Sequence, residues 1–219
     1  MSLIVKICGL STPDTLDVAL QAGADMVGFV FFPASPRHIS LETARELGRQ
    51  AKGRALKVAL TVDADDATLA NVVETLRPDM LQLHGVESVA RLRDIKQSFG
   101  LPVMKAIPVA SSADLAALAG YAAVADRILF DARAPKEATR PGGLGAVFDW
   151  HLLEKLDLKL PFMVSGGLNA GNVADAVRIT RAGGVDVSSS VERAPGVKDP
   201  ELIQAFIRAA RATEELSAR

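Results

Sequence analysis

The stretch LIVKICGLSTPDTLDVALQAGADMVGFVFF, residues 3–32, contains the pattern that decides the fold. It opens with a short apolar run, continues with a segment of helical periodicity that has Asp14 in its first turn, and closes with a second apolar run. Such runs predict buried strands, and the segment between them predicts a helix. A strand, a helix and a second strand in this order predict a right-handed crossover between two parallel strands.

The same alternation continues until eight units are complete. Predicted strands cover residues 3–8, 25–32, 56–62, 79–84, 102–107, 126–131, 160–165 and 184–188, and predicted helices cover residues 12–22, 41–51, 65–76, 88–98, 112–118, 148–154, 170–180 and 200–213. Eight units with no long linker predict an α/β protein that forms a single (β/α)8 TIM-barrel domain over residues 1–219. The competing fold is an open doubly wound sheet, but no dinucleotide fingerprint follows the first strand.

Composition narrows the class of protein. The 25 basic and 26 acidic residues nearly balance, which argues against a nucleic-acid or membrane partner. The chain has one cysteine, so it cannot form an internal disulfide. It starts without a secretory signal pattern and contains no apolar run of about 18 residues. We therefore expect a cytoplasmic protein.

Strand alternation collects polar side chains inside one end of the predicted barrel. Lys6 and Cys8 share the inward face of the first strand, Gln82 and His84 that of the fourth, and Asp131 ends the sixth. In such barrels active sites lie at the carboxyl ends of the strands. We expect the Lys6 cation to favour the Cys8 thiolate and make it a usable base.

Each candidate also has a structural explanation. A lone buried cysteine is often an inert small hydrophobe, so Cys8 could be no more than part of the core. Asp131 could cap a loop or pair with a nearby cation such as Arg127. With three histidines and no paired spacing, we predict no metal site.

Two features predict an anion site at the same end. Gly166 and Gly167 follow the seventh strand, and a serine-rich segment that includes Ser188 follows the eighth. Loops seven and eight of such barrels commonly bind phosphate, although a glycine pair can also be a simple turn. After the second strand, two prolines stiffen a loop that carries Arg37, which could meet a carboxylate or lie in solvent.

An ordered set of motifs spans almost the whole chain. The motifs are KICGL at 6–10, GFVFFPASPRHIS at 28–40, QLHG at 82–85, LFDA at 129–132, GGLG at 142–145, VSGGLNAGNV at 164–173 and VDVSSSVERAPGVKD at 185–199. Together they closely resemble the phosphoribosylanthranilate isomerase family of tryptophan biosynthesis. The resemblance implies a TIM barrel that carries out an Amadori rearrangement of N-(5-phosphoribosyl)anthranilate, a small phosphorylated substrate, without cofactor or metal.

The resemblance also implies roles for individual residues. Cys8 matches the general base of the family and Asp131 the general acid. Arg37 matches the arginine that meets the anthranilate carboxylate. Further expected substrate contacts are Gly166, Gly167, Asp186 and Ser188, in the phosphate-binding loops, together with Gln82 and His84 of the QLHG motif.

One position departs from the family pattern. Ser190 stands where family members commonly have glycine in the sequence SSGVE. If that position needs a positive φ, Ser190 would carry about 1 kcal/mol of strain, and phosphate affinity would be in doubt.

Other functions remain open at this level. The chain could be a related phosphosugar isomerase or epimerase, either metal-dependent or acting on a second aminoaldose, or a phosphosugar sensor without catalysis. Cys8 argues against a dual isomerase with paired aspartates. Monomer and homodimer are both compatible with the sequence.

Overall fold

The computed structural model describes residues 2–134, 138, 141–143, 145 and 147–217. Eight parallel strands pair in chain order and close between the first and the last, which confirms the predicted barrel. The strands are β1 Ile4–Cys8, β2 Met26–Phe31, β3 Leu56–Thr61, β4 Met80–Leu83, β5 Val103–Val109, β6 Arg127–Ala132, β7 Phe162–Val164 and β8 Gly184–Val187. An antiparallel hairpin, β9 Glu192–Ala194 and β10 Val197–Lys198, follows the barrel.

Most of the helices lie between strands, and the last one follows the hairpin. They are α1 Pro13–Gln21, α2 Leu41–Ala51, α3 Asp66–Leu76, α4 Val89–Phe99, α5 Leu118–Ala122, α6 Val173–Thr180 and α7 Pro200–Ser217. The first four begin next to Thr12, Ser40, Asp65 and Ser88, whose side chains accept a hydrogen bond from the third helical amide. Such caps satisfy amides that have no partner within the helix, so the sequence sets these starts closely. None of the described helices is both long and apolar enough to span a bilayer.

Two predicted helices differ from the structure. The helix predicted over 112–118 is divided into a 3-10 turn, Ser112–Leu115, and the short α5. The Asp114 carboxylate accepts hydrogen bonds from the amides of Ala110 and Ser111, which tightens this turn. The helix predicted over 148–154 is only a 3-10 turn, Trp150–Leu153, with bonds between residues three apart. So short a segment has few hydrogen bonds to offset the cost of α-helix nucleation.

The barrel interior is polar at the upper end, where the carboxyl ends of the strands lie, and apolar below it. Outward-facing strand residues pack under the helices, while Met26, Val58, Met80, Met104, Ala106, Leu129 and Met163 fill the lower interior. Above them, at the carboxyl ends of the strands, Cys8 contacts Val30 and Leu60. The packed lower layer closes one end of the barrel and confines the polar groups to the other.

Candidate active site

A cavity of about 780 Å³, partly open to solvent, lies at the carboxyl ends of the strands. The predicted site residues that line it are Cys8, Arg37, His84, Asp131, Gly166, Gly167, Asp186 and Ser188. Gln82 is fully buried beneath His84 and does not line the cavity. Of the GGLG motif, Gly142, Gly143 and Gly145 line the cavity, while Leu144 lies outside the described residues.

Cys8 is buried at the end of β1, beside an ion pair. The Lys6 ammonium lies 2.9 Å from the Asp186 carboxylate of β8, and the two side chains are 0% and 5% exposed. Burial lowers the pKa of Lys6, but the charges of Asp186 and Cys8 raise it more, so it lies above its ordinary value. Lys6 therefore carries its charge inside the barrel.

Lys6 favours the Cys8 thiolate, as expected, but burial of the thiol outweighs this effect. Burial raises the pKa of the Cys8 thiol, and the nearby Asp186 carboxylate adds to the rise. Lys6 and Lys198 lower that pKa, but not enough to offset burial. Removing the thiol from water penalises its anion more than the two cations favour it. Burial therefore favours the neutral thiol.

Asp131, the residue before the last of β6, takes part in a short chain of hydrogen bonds. One carboxylate oxygen lies 3.2 Å from His84 Nε2, and the other accepts a bond from the Ala132 amide at 2.9 Å. The Gln82 amide lies 3.0 Å from His84 Nδ1. The polar partner of Asp131 is thus His84, and not Arg127 as the alternative explanation of Asp131 supposed.

The loop after β7 has an open backbone. Gly166 and Gly167 adopt φ values of 84° and 63°, a conformation that glycine reaches without strain. Asn172 donates to the Gly167 carbonyl at 3.0 Å, which fixes the turn. The main chain thus borders the cavity here without a side chain in between, as a backbone phosphate site requires.

Asp186, within β8, and Ser188, directly after it, have different surroundings from those expected. The Asp186 carboxylate is occupied by Lys6, and a carboxylate repels a phosphate, so this side chain is poorly suited to bind one. The Ser188 hydroxyl donates to the Cys8 carbonyl at 3.1 Å, which leaves its backbone as the group available to an anion. Substrate contact by either residue stays a prediction.

The strain expected at Ser190 is absent. The described non-glycine residues with positive φ are Asp63, Arg77 and Arg181, and Ser190 is not one of them. It lies in the 3-10 turn Ser189–Val191 and lines the cavity. The backbone follows a path that any residue can adopt, so serine fits here as well as glycine.

Arg37 is not a solvated loop residue, since it is 4% exposed. Its Nε and Nη2 atoms each donate to the Glu192 carboxylate at 2.7 Å, and Nη2 also donates to the Gly143 carbonyl. Burial alone would raise the pKa of Glu192, but the bonds from Arg37 and the charge of Lys198 bring it below its ordinary value.

Sequence reasoning missed Glu192 and Lys198 as site residues. Both lie in the VERAPGVKD segment, and a buried acid and a buried lysine there form an ion pair at 2.8 Å. The available signal was the presence of opposite charges in a motif next to the predicted phosphate-binding loop. That signal does not say which arginine the acid binds.

Comparisons with known proteins match the whole barrel. A family model described as N-(5'phosphoribosyl)anthranilate (PRA) isomerase matches residues 5–209. A protein of that name from Bradyrhizobium sp. (strain ORS 278) is 79% identical over 217 residues, which cover 99% of each chain. The crystal structure of the phosphoribosylanthranilate isomerase from Thermotoga maritima superposes with a TM-score of 0.87 at 35% identity, and covers 96% of this chain and 99% of its own.

A further solved structure contains a ligand. It is a phosphoribosylanthranilate isomerase in complex with reduced 1-(o-carboxyphenylamino)-1-deoxyribulose 5-phosphate, with a TM-score of 0.84, 33% identity, and coverage of 96% of this chain and 99% of its own. The family match, the identity to the relatives and the shared barrel agree over nearly the full length. The chain belongs to the phosphoribosylanthranilate isomerase family.

Proposed function

We propose that this protein isomerises N-(5-phosphoribosyl)anthranilate to 1-(2-carboxyphenylamino)-1-deoxyribulose 5-phosphate, a step of tryptophan biosynthesis, with Cys8 as base and Asp131 as acid. The observation that carries the proposal is that Cys8 and Asp131 line one cavity together with the glycine loop and Arg37. Such a cavity offers one acid, one base and two anion contacts. The substrate has one sugar between a phosphate and a carboxylate.

The two anionic ends of the substrate would fix its orientation. Its phosphate binds the backbone at Gly166 and Gly167 and in the serine turn after β8, while its carboxylate binds Arg37. Gln82 acts through His84, and the Asp186 carboxylate acts through Lys6. Binding energy from the two ends holds the sugar between the catalytic groups, which is how remote contacts accelerate a reaction.

Asp131 begins the reaction by giving a proton to the furanose ring oxygen, which then leaves C1′. The nitrogen lone pair forms a C=N bond, so an iminium ion results. His84, in hydrogen-bond contact with the carboxylate, orients Asp131 for this transfer.

Cys8 then removes the hydrogen from C2′, whose electrons move toward the iminium nitrogen and give an enolamine. The enolamine tautomerises to the ketone. The positive charge of the iminium ion favours the thiolate, which offsets the burial that raises the pKa of Cys8. The base is thus active when the intermediate is present.

The proposal requires no cofactor or metal, and it assumes a cytoplasmic enzyme that is a monomer or homodimer. A metal-dependent epimerase would need several inward histidines and carboxylates. Among the described residues, no group of three or more His, Cys, Asp or Glu side chains is arranged to hold a metal ion. A phosphosugar sensor would have no need for both Cys8 and Asp131 in one cavity.

The test is a turnover assay on freshly prepared phosphoribosylanthranilate, followed by the change in anthranilate fluorescence. The product is identified by borodeuteride reduction and mass fragmentation, since the ketone takes up deuterium at C2′ and the open-chain imine of the substrate at C1′. We expect protein-dependent formation of the aminoketose that EDTA does not inhibit. Binding without turnover would support the sensor, and loss of turnover in EDTA would support a metal enzyme. Either outcome would reject the proposal.

A further inference from the structure

The Glu192 carboxylate accepts four hydrogen bonds, all from residues outside its own strand β9. One of its carboxylate oxygens accepts from Arg37 Nε at 2.7 Å and from Lys198 Nζ at 2.8 Å. The other accepts from Arg37 Nη2 at 2.7 Å and from the Gly196 amide at 3.1 Å. Its side chain is 3% exposed. A buried carboxylate with four donors is fully satisfied and holds its partners in fixed positions.

The bidentate bond determines which part of Arg37 can meet a ligand. Glu192 occupies the edge formed by Nε and Nη2, so the end that carries Nη1 is the part directed to other groups. Nη1 lies next to Gly143, which lines the cavity: a Cβ on that glycine would be 2.4 Å from Nη1. Gly9 makes room on the other side, since a Cβ there would be 2.6 Å from Arg37 Cδ.

Lys198 connects the same carboxylate to the loop after β8. Its ammonium donates to the Ser188 carbonyl at 2.8 Å and lies 3.2 Å from the Ser188 hydroxyl. Two cations and one anion leave this cluster with a net positive charge, which favours an anionic ligand. Lys198 is 4% exposed, so its charge is screened little by solvent.

We propose that Glu192 is a positioning residue for Arg37: it holds the guanidinium so that the Nη1 end faces the substrate carboxylate. This inference rests on the proposed function, in which Arg37 binds that carboxylate. A free arginine side chain must lose rotamer freedom when it binds a ligand, and Glu192 removes that freedom beforehand. Glu192 thereby sets the preference for substrates that carry a carboxylate.

The test compares two ligands that differ in one group. The first is the reduced product, 1-(o-carboxyphenylamino)-1-deoxyribulose 5-phosphate after reduction, and the second is its anilino counterpart without the carboxylate. Dissociation constants are measured by titration calorimetry for wild type, Glu192→Gln and Arg37→Ala. The exposed Glu46→Gln is the control for loss of an acidic charge.

Glu192→Gln should weaken binding of the carboxylate ligand about tenfold and change binding of the anilino ligand less than about twofold. Equal weakening for both ligands would mean that Glu192 only maintains the loop, and no weakening for either would mean that Arg37 needs no support. Both results overturn the inference. If Glu192→Gln does not fold, Glu192→Asp, which keeps the charge but has a shorter side chain, gives the same comparison.

Arg37→Ala separates this inference from the proposed function. If Arg37→Ala weakens binding of the carboxylate ligand more than that of the anilino ligand and Glu192→Gln does not, only the role of Glu192 is rejected. If Arg37→Ala binds both ligands as wild type does, Arg37 is not the carboxylate contact, and that part of the proposed function fails.

Discussion

Replacing Lys6 with methionine should destabilise the barrel at neutral pH, because the Asp186 carboxylate then stays buried without its counter-charge. The pair is 2.9 Å apart and almost fully buried. Burial already raises the pKa of Asp186, and Lys6 opposes that rise. Without Lys6, the folded variant binds a proton at Asp186 while the unfolded chain keeps this carboxylate ionised.

The size of the effect follows from the pH. Protonating a carboxyl whose ordinary pKa is 3.8 requires about 1.4 kcal/mol per pH unit above that value, hence about 4 kcal/mol at pH 7 and about 1.6 kcal/mol at pH 5. The first figure agrees with the roughly 3–5 kcal/mol typical of removing one partner of a buried pair. A folded pKa above the unfolded one means that the variant is more stable at low pH and loses stability as the pH rises.

Guanidinium chloride unfolding, followed by circular dichroism at pH 5 and pH 7, measures this difference. Lys57→Met is the matched control, since the Lys57 side chain is also buried but its ammonium group donates to the carbonyls of Leu76 and Arg77 and not to a carboxylate. It should destabilise the protein equally at both pH values. The double variant Lys6→Met/Asp186→Leu should recover most of the free energy of unfolding that Lys6→Met loses. The reasoning would be refuted if Lys6→Met lowered the free energy of unfolding by less than about 1 kcal/mol at pH 7, or by an amount that did not change with pH.

Three further predictions follow from the site. Because burial raises the pKa of Cys8 above the ordinary 9.0, the rate of its alkylation by iodoacetamide should rise about tenfold per pH unit without a plateau below that pH; a plateau near neutrality would contradict the described environment. Ser190→Gly should change the free energy of unfolding by less than about 0.5 kcal/mol, since no strain is relieved; a clear gain by chemical denaturation would contradict this. Gly9→Ala should lower the free energy of unfolding by about 1–2 kcal/mol and weaken binding of the carboxylate ligand, because its Cβ displaces Arg37. Unchanged binding by calorimetry would contradict the position of Arg37.

The strands and most helices follow from local chemistry. Short apolar runs between helical segments are typical of strands buried on both faces, and the side chains of Thr12 and Ser40 accept from the third amide of the helices after them. Since closure of a parallel barrel brings all carboxyl ends to one rim, the positions of Cys8 and Asp131 in their strands were enough to predict a shared cavity.

The remaining features depend on residues far apart in sequence. Arg37 and Glu192 are 155 positions apart, and no local pattern links them. The pKa of Cys8 is a balance between burial and three charges, so one neighbouring lysine could not predict its direction. The backbone at Ser190 depends on the path of its loop, and the family preference for glycine did not indicate a positive φ in this chain.

The central claim is that Cys8 and Asp131 act as base and acid on one bound sugar. Its most direct test is turnover of phosphoribosylanthranilate by Cys8→Ala and Asp131→Asn, with binding of the reduced product measured on the same samples. Each variant should lose at least about a hundredfold in kcat while its dissociation constant changes less than about threefold. Turnover close to wild type in either folded variant would contradict the claim.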